Sequence, residues 1–125
     1  MNRHICNLIS NINNGQLAKK SFIVQFPKKS VKKVLNVLWD EGFISGYKVS
    51  IKSIKIYLKY KNGVPAITVI KNISKPSLKV YYSLNQLWKT HTENSLIILS
   101  TNKGVMSDRE CKKKNLGGEP FILVK

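Results

Sequence analysis

The sequence is short of acidic residues. Only six Asp and Glu stand against 22 Lys and Arg, so the formal net charge is +16 over 125 residues. So few carboxylates provide no obvious acid–base pair, and the common phosphate-loop, dinucleotide and zinc patterns are missing. These absences argue against an enzyme. We therefore predict no catalytic residue, no metal ligand, no cofactor and no small-molecule substrate.

Cysteine and long apolar runs are equally scarce. Cys6 and Cys111 are single and far apart, which excludes a metal cluster and disfavours a disulfide framework. We expect both as small apolar groups on helix faces in a reducing compartment. No run approaches the roughly 18 apolar residues of a membrane-spanning helix, and no membrane partner is predicted. The first residues do not resemble a secretory signal or a transit peptide. We therefore expect that the protein stays in the compartment where it is made or that a targeting segment has been removed.

The basic surplus is the strongest compositional signal. So large a positive charge repels itself in a compact fold, and a polyanionic partner explains it most simply. The alternative is that the positive charges are simply solvated on the protein surface and have no partner. Membrane-surface binding is a further one, but no long basic amphipathic helix supports it. The composition therefore predicts a nucleic-acid partner.

The kind of basic residue suggests a source. Twenty of the 22 basic residues are Lys, and Ile and Asn are abundant. AT-rich codons favour these residues, which indicates an AT-rich genome. We predict an organelle gene and the mitochondrial matrix, with a plastid or a bacterial cytoplasm as alternatives.

Hydrophobic periodicity predicts an α-β-α-β-β subdomain over residues 1–72. A helical stripe is followed by a strand, a second helix, and then strands that alternate apolar and basic residues. The predicted elements are a helix over Asn2–Asn14 stopped at Gly15, a strand over Ser21–Phe26, a helix from an N-cap at Ser30 to Glu41 stopped by Gly42, a strand from Phe43, a strand over Ile54–Tyr60, a hairpin at Asn62-Gly63 and a return strand over Ala66–Ile70.

The second half, residues 73–125, is predicted as mainly β with a short helix. A turn at Lys75-Pro76-Ser77 leads into an alternating strand over Leu78–Tyr82, and a short helical turn follows at Asn85–Trp88. Buried strands are predicted at Ser95–Leu99 and Phe121–Val124. The fold class is therefore α+β in two small subdomains.

The stretch Ser100–Glu110 organises the second half. After the apolar strand, Asn102-Lys103-Gly104 is typical of a turn with a residue that tolerates positive φ. Ser107-Asp-Arg-Glu110 has the pattern of a capping box. We interpret the stretch as strand, polar turn and helix start, which presents hydroxyls, an amide and a lysine to a phosphate or a base edge.

These residues also carry a resemblance. The run S-T-N-K-G-V-M-S-D-R-E, followed by Asn115-Leu-Gly-Gly-Glu119, resembles the C-terminal signature of the small-subunit ribosomal protein S-eight family. Earlier segments fall in the same order: the junction ending in Glu41-Gly-Phe-Ile44, the strand Ile56–Tyr60 and the segment Ile73–Tyr81. The resemblance covers nearly the whole chain.

The resemblance implies a site. Family members use the corresponding turn, with the glutamate after Gly-Gly, to hold irregular bases in the minor groove of a central-domain helix of small-subunit rRNA. Carried over, this implicates Ser100, Thr101, Lys103, Gly104 and Glu119.

Further positions complete the predicted rRNA-binding set. Asn102 replaces the usual serine of that turn but can still donate and accept. Tyr81 matches a family tyrosine and is either an RNA contact or a core residue. Lys28, Lys29 and Lys32 gather at a helix N-terminus, where positive charge opposes the dipole unless an anion binds. The last member is Lys75.

We therefore hypothesise a non-catalytic constituent of the small ribosomal subunit. Its predicted partners are small-subunit rRNA and neighbouring small-subunit ribosomal proteins. A stand-alone double-stranded RNA-binding regulator is the main alternative, because basic strands in an α-β-α-β-β unit would also suit duplex RNA. A DNA-binding module is a third possibility.

Overall fold

A computed structural model describes residues 3–73, 83 and 95–125. These parts of the chain form three α-helices and nine β-strands, and they confirm both the α+β class and the order α-β-α-β-β in the first half. The elements are α1 (Arg3–Leu17), β1 (Phe22–Gln25), α2 (Lys29–Asp40), β2 (Ile44–Val49), β3 (Ile54–Leu58), β4 (Tyr60–Lys61), β5 (Val64–Pro65), β6 (Ile70–Asn72), β7 (Leu96–Thr101), β8 (Gly104–Ser107), α3 (Asp108–Lys113) and β9 (Glu119–Val124).

The first sheet is three-stranded and antiparallel, in the order β1-β3-β2. Ile54, Ile56 and Leu58 of β3 are buried, while the two residues between them are only half-buried, as expected for a strand with one face on the core. α1 and α2 pack on this apolar face. The result is a two-layer unit of two helices on one sheet.

The second sheet has four strands in the order β6-β9-β7-β8. Its strand β7 is apolar on both faces. Leu96 and Ile98 join the main core, whereas Ile97 and Leu99 join a second cluster with Met106 and Cys111. Burial raises the pKa of the Cys111 thiol to about 11, with the nearby Asp108 and Glu110 charges adding to the effect. Cys111 is thus a small apolar core group, as predicted.

The main core is continuous between the two sheets. It runs from α1, α2 and the first sheet to Ile70, Ile98 and Ile122 of the second, and α2 packs on both β2 and β8. Arg109 of α3 also donates to the Glu41 carboxylate at 2.7 Å. Strand β6 lies before residue 73 but pairs with β9. The division between residues 72 and 73 stays a prediction.

The predicted stop of the first helix at Gly15 is wrong. α1 continues to Leu17, and the residue with positive φ is Lys19, at 55°. Gly15 is buried, and a Cβ there would lie 2.6 Å from Ile23 Cγ2 and 3.0 Å from Leu58 Cδ1. The glycine therefore permits close helix–sheet packing and does not end the helix.

The predicted N-cap of the second helix is also wrong. α2 begins at Lys29, and its N-cap is Lys28, which is extended and makes no side-chain cap bond. The predicted end is confirmed. Gly42 has φ of 81°, and its N–H and that of Phe43 donate to the Trp39 and Leu38 carbonyls in a Schellman arrangement.

The hairpin at Asn62-Gly63 is confirmed, with φ of 53° and 78° joining β4 to β5, values typical of a type I′ turn. The return strand over Ala66–Ile70 is wrong. β5 ends at Pro65, which has no N–H for a ladder. Beyond it, the N–H groups of Thr68 and Val69 donate to the Lys125 carbonyl, and β6 begins only at Ile70.

Gly15→Ala tests the packing interpretation. Helix propensity alone predicts a gain of roughly 0.5–1 kcal/mol in stability. Overpacking against Ile23 predicts a loss of about 1–3 kcal/mol, and a contact of 2.6 Å with a branched side chain should make this loss the larger effect. We expect lower stability in urea unfolding. Asn14→Ala, at the exposed neighbouring position, is the control and should change little; a stabilised Gly15→Ala would contradict the close packing.

Candidate nucleic-acid interface

The predicted turn is the tip of a β-hairpin. Thr101 pairs with Gly104, Ser100 with Val105 and Leu99 with Met106, so Asn102 and Lys103 form a two-residue loop. Both loop residues are exposed. Gly104 has φ of 114°, which confirms the predicted need for a residue that tolerates positive φ.

The side chain of Thr101 holds this tip together. Its Oγ1 donates to the Gly104 carbonyl at 2.7 Å and accepts from the Lys103 N–H at 3.1 Å. Both bonds lie within the loop, so they restrict it without using the rest of the protein. Thr101 therefore shapes the corner, and the predicted contact of Thr101 and Gly104 with rRNA stays a prediction.

Glu119 lies beside the hairpin. It is the first residue of β9 and pairs directly with Ser100 of β7. Directly opposed residues on antiparallel strands have Cβ atoms about 4.5–5.5 Å apart on one face. The structure therefore brings together two residues that are 19 positions apart in the sequence, one a hydroxyl and the other a carboxylate. We call Ser100, Asn102, Lys103 and Glu119 the hairpin corner.

Gly118 makes this approach possible, and sequence reasoning missed it. A Cβ on Gly118 would lie 2.7 Å from the Ser100 carbonyl oxygen and 2.8 Å from Thr101 Cγ2. Only a residue without a side chain can pass the hairpin at this distance. The signal in the sequence is the Gly117-Gly118 pair directly before Glu119.

The prediction of a capping box at the start of α3 is confirmed in part. The Ser107 side chain accepts from the Glu110 N–H at 3.1 Å, as a capping box requires, while the Glu110 carboxylate pairs with Lys114 at 3.1 Å. However, strand β8 separates the turn from α3. The strand, the turn and the capped helix start are confirmed, but the interpretation of the stretch is incomplete, because Val105 and Met106 pair with β7 and extend the sheet.

The predicted lysines occupy a different element. Lys28 is the N-cap of α2, and Lys29 and Lys32 lie in its first turn, which holds no acidic residue. Lys28 Nζ lies 5.7 Å from the centre of the Phe26 ring. These lysines belong to the first sheet's side of the molecule and the hairpin corner to the second sheet. Tyr81 and Lys75, with the predicted elements at Leu78–Tyr82 and Asn85–Trp88, lie outside the described residues.

Two negative observations concern residues 3–73, 83 and 95–125 only. No group of three or more His, Cys, Asp and Glu side chains in this part of the chain could hold a metal ion. Within the same residues, no helix is long and apolar enough to cross a membrane.

Comparison with known proteins gives the class first. A relative from Stutzerimonas stutzeri is 42% identical over 96% of this chain and 95% of its own length, and one from Hydrogenovibrio crunogenus is 37% identical over 99% and 98%. A relative from Buchnera aphidicola is 36% identical over 96% and 95%. Each is named small ribosomal subunit protein uS8, so the class is that of small-subunit ribosomal proteins.

The family follows from a second comparison. The family model Ribosomal protein S8 matches residues 3–124. The chain therefore belongs to the ribosomal protein S8 family, whose members are structural, non-enzymatic components of the small ribosomal subunit. This confirms the predicted family and the prediction that the chain is not an enzyme.

Gly118→Ala tests the geometry of the corner. The added Cβ must displace the Ser100 backbone or the start of β9, and such overpacking costs about 1–3 kcal/mol. We expect a lower midpoint in urea unfolding, together with shifted amide resonances for Ser100 and Glu119 in NMR spectra. Ser45→Ala, at an exposed position of β2, is the control. Unchanged resonances at Ser100 in the Gly118 variant would contradict the close approach.

Proposed function

We propose that this protein binds a central-domain helix of small-subunit rRNA through the hairpin corner and thereby supports subunit assembly and translation. The observation that carries the proposal is the pairing of Ser100 with Glu119 beside the exposed Asn102-Lys103 loop. The Ser100 hydroxyl and the Glu119 carboxylate are held on paired strands, and the Asn102 amide lies on the short loop that Thr101 restricts. Together they form an ordered set of donors and acceptors. Such a set suits irregular base edges and 2′-hydroxyls in the wide RNA minor groove.

Glu119 supports recognition of a defined site over general attraction to RNA. A carboxylate next to a polyanion is electrostatically unfavourable unless it accepts from a specific donor or pairs with a lysine. Base amino groups and 2′-hydroxyls are donors of this kind. An exposed lysine at the same position would instead favour any phosphate. The corner therefore contributes discrimination, and its only lysine is Lys103.

The lysines supply affinity. Contacts to phosphates release counterions and strengthen binding to any RNA, and this contribution falls as salt increases. Lys28, Lys29 and Lys32 form a concentrated group for this role at the start of α2. Lys75 and Tyr81 stay in the proposed set on the resemblance alone.

The proposed partners beyond rRNA are neighbouring small-subunit ribosomal proteins. The proposed location is an organelle ribosome, with the mitochondrion first, and it rests on the Lys-, Asn- and Ile-rich composition. The bacterial origin of the relatives, which include one from Ehrlichia canis, supports the alternative of a bacterial cytoplasm. Co-sedimentation with small subunits from an organelle fraction would distinguish these locations.

Substitutions in the corner test the proposed discrimination. Ser100→Ala and Asn102→Ala should each weaken binding to the cognate rRNA helix by about 1–3 kcal/mol, since a base-edge or 2′-hydroxyl partner is lost. Binding to an unrelated RNA duplex of equal length should stay nearly unchanged. Filter binding at one fixed salt concentration measures both constants.

The control for these substitutions is Ser45→Ala, which removes an exposed hydroxyl on the first sheet. It should change neither constant. An equal loss on both RNAs would remove the corner from specific recognition. A protein that binds all duplexes alike would favour the stand-alone regulator, and a preference for DNA of the same sequence would favour the DNA-binding module.

Lysine substitutions test the proposed phosphate contacts. Lys28→Gln and Lys32→Gln should weaken all RNAs alike, and each should reduce the slope of log K against log salt by up to about one unit, because one fewer counterion is released. Lys59→Gln is the control and should leave the slope unchanged, because the Lys59 ammonium already donates to the Gly42 carbonyl at 3.2 Å. An unchanged slope for Lys28→Gln would exclude that lysine from phosphate contact.

A further inference from the structure

Within residues 3–73, 83 and 95–125, no helix packs on one face of the first sheet. Both helices pack on the side of Ile23, Ile54 and Ile56, and the opposite side carries Phe22, Val24, Lys48, Lys55 and Tyr57. Phe22 and Val24 retain 41% and 53% of their exposure. Large apolar side chains exposed side by side on a strand of a basic protein are unusual unless something binds them. We call these five residues the outer sheet face.

The strand register places these side chains together. Phe22 of β1 pairs with Tyr57 of β3, and Val24 pairs with Lys55. On the other side of β3, Lys48 of β2 also pairs with Lys55. The rings of Phe22 and Tyr57 lie 6.5 Å apart, centre to centre. The face is therefore a row of rings beside a pair of cross-strand lysines.

Lys55 is held down on these rings. Its Nζ lies 4.0 Å from the centre of the Phe22 ring and 5.4 Å from that of Tyr57, well within the range of cation–π attraction. The ammonium therefore lies close to the aromatic surface. A phosphate bound to it would bring its own nucleotide into reach of the rings.

The charge of this face selects the class of partner. Residues 3–73 contain only two acidic side chains, Asp40 and Glu41. Both lie at the C-terminal end of α2, which packs on the other side of the sheet, and Glu41 pairs with Arg109. The two lysines directly opposite each other repel, and an anion between them would relieve that repulsion. Among the described residues, no acidic side chain of residues 3–73 lies on this face, so its rings and lysines suit nucleic acid better than a basic protein surface.

We propose that the outer sheet face binds unpaired nucleotides of RNA, with Lys48 and Lys55 on the phosphates and Phe22 and Tyr57 against the bases. Unpaired nucleotides are specified because a duplex keeps its base faces stacked inside, whereas aromatic side chains need an open face. This site is distinct from the hairpin corner, which lies on the second sheet. The inference rests on the proposed function in one respect, because the outer sheet face and the hairpin corner are both assigned RNA as their partner.

The test uses the full chain and a single-stranded oligouridine of 12 nucleotides, which offers no duplex to the hairpin corner. The double variant Phe22→Leu with Tyr57→Leu keeps the face apolar and removes the rings. It should lower oligouridine affinity by about tenfold, as expected for lost base stacking. Lys55→Gln should lower it by about threefold or more and weaken its salt dependence.

Two control variants separate this site from the rest. Trp39→Leu removes a ring that is 49% exposed on the helix side, edge-on to Tyr47, and should leave oligouridine binding unchanged. Ser100→Ala should also leave it unchanged while weakening the cognate duplex. If Ser100→Ala has no effect on the duplex but the ring variant loses oligouridine, the proposed corner fails and this inference stands.

A second measurement needs no variant. Ultraviolet cross-linking of the unmodified protein to oligouridine, followed by peptide mapping, should place nucleotide adducts on Phe22 or Tyr57. Adducts confined to other parts of the chain, or full oligouridine affinity in a correctly folded ring variant, would overturn the proposal. In the latter case the face would be assigned to a protein neighbour, and the ring variant would then bind rRNA normally but fail to join an assembled subunit.

Discussion

Strand β7 is buried on both of its faces, and the position of the hairpin corner depends on this. Leu96 and Ile98 point to the core shared with α1 and α2, while Ile97 and Leu99 point to the cluster around Met106. A slip of one residue against β9 would reverse every one of these side chains. The register is therefore strongly determined, and with it the residue at which the strand leaves the core. That residue is Ser100, the first exposed one.

The same pairing explains why the corner is made from two distant segments. β9 enters the sheet beside β7 because Ile122 and Val124 belong to the shared core. A bulge between Ile98 and Leu99 then shifts the register by one residue, so that Glu119, the first residue of β9, lies opposite Ser100. This approach requires that the preceding residue has no side chain to collide with the hairpin. Gly118 meets this condition. Core packing thus sets the position of a polar site that makes little contribution to the core.

Periodicity in the sequence predicted most of the helices and strands, because burial on one face is recorded in the order of apolar residues. It failed where a residue's role depends on a partner distant in the chain. Gly15 has the sequence context of a helix stop, but Ile23 and Leu58 require it to be small. Val105 and Met106 look like a linker between turn and helix, and only their pairing with β7 makes them a strand. The residues of the corner could be predicted because they are contiguous in the sequence or given by the resemblance. The role of Gly118 and the Phe22–Lys55–Tyr57 cluster could not, because both arise from neighbours on adjacent strands.

The imbalance of charge connects the fold to its partner. Among the described residues, Glu41 and Glu110 form salt bridges with Arg109 and Lys114, and exposed pairs of this kind contribute only about 0–1 kcal/mol. Six carboxylates cannot offset 22 cations in any arrangement. A ligand that binds only the folded state stabilises it by mass action, and a polyanion also removes the repulsion between lysines. If RNA is the partner, as proposed, it should therefore add more to stability than its direct contacts alone. The apolar core determines the fold, and the proposed RNA partner would supply the missing negative charge.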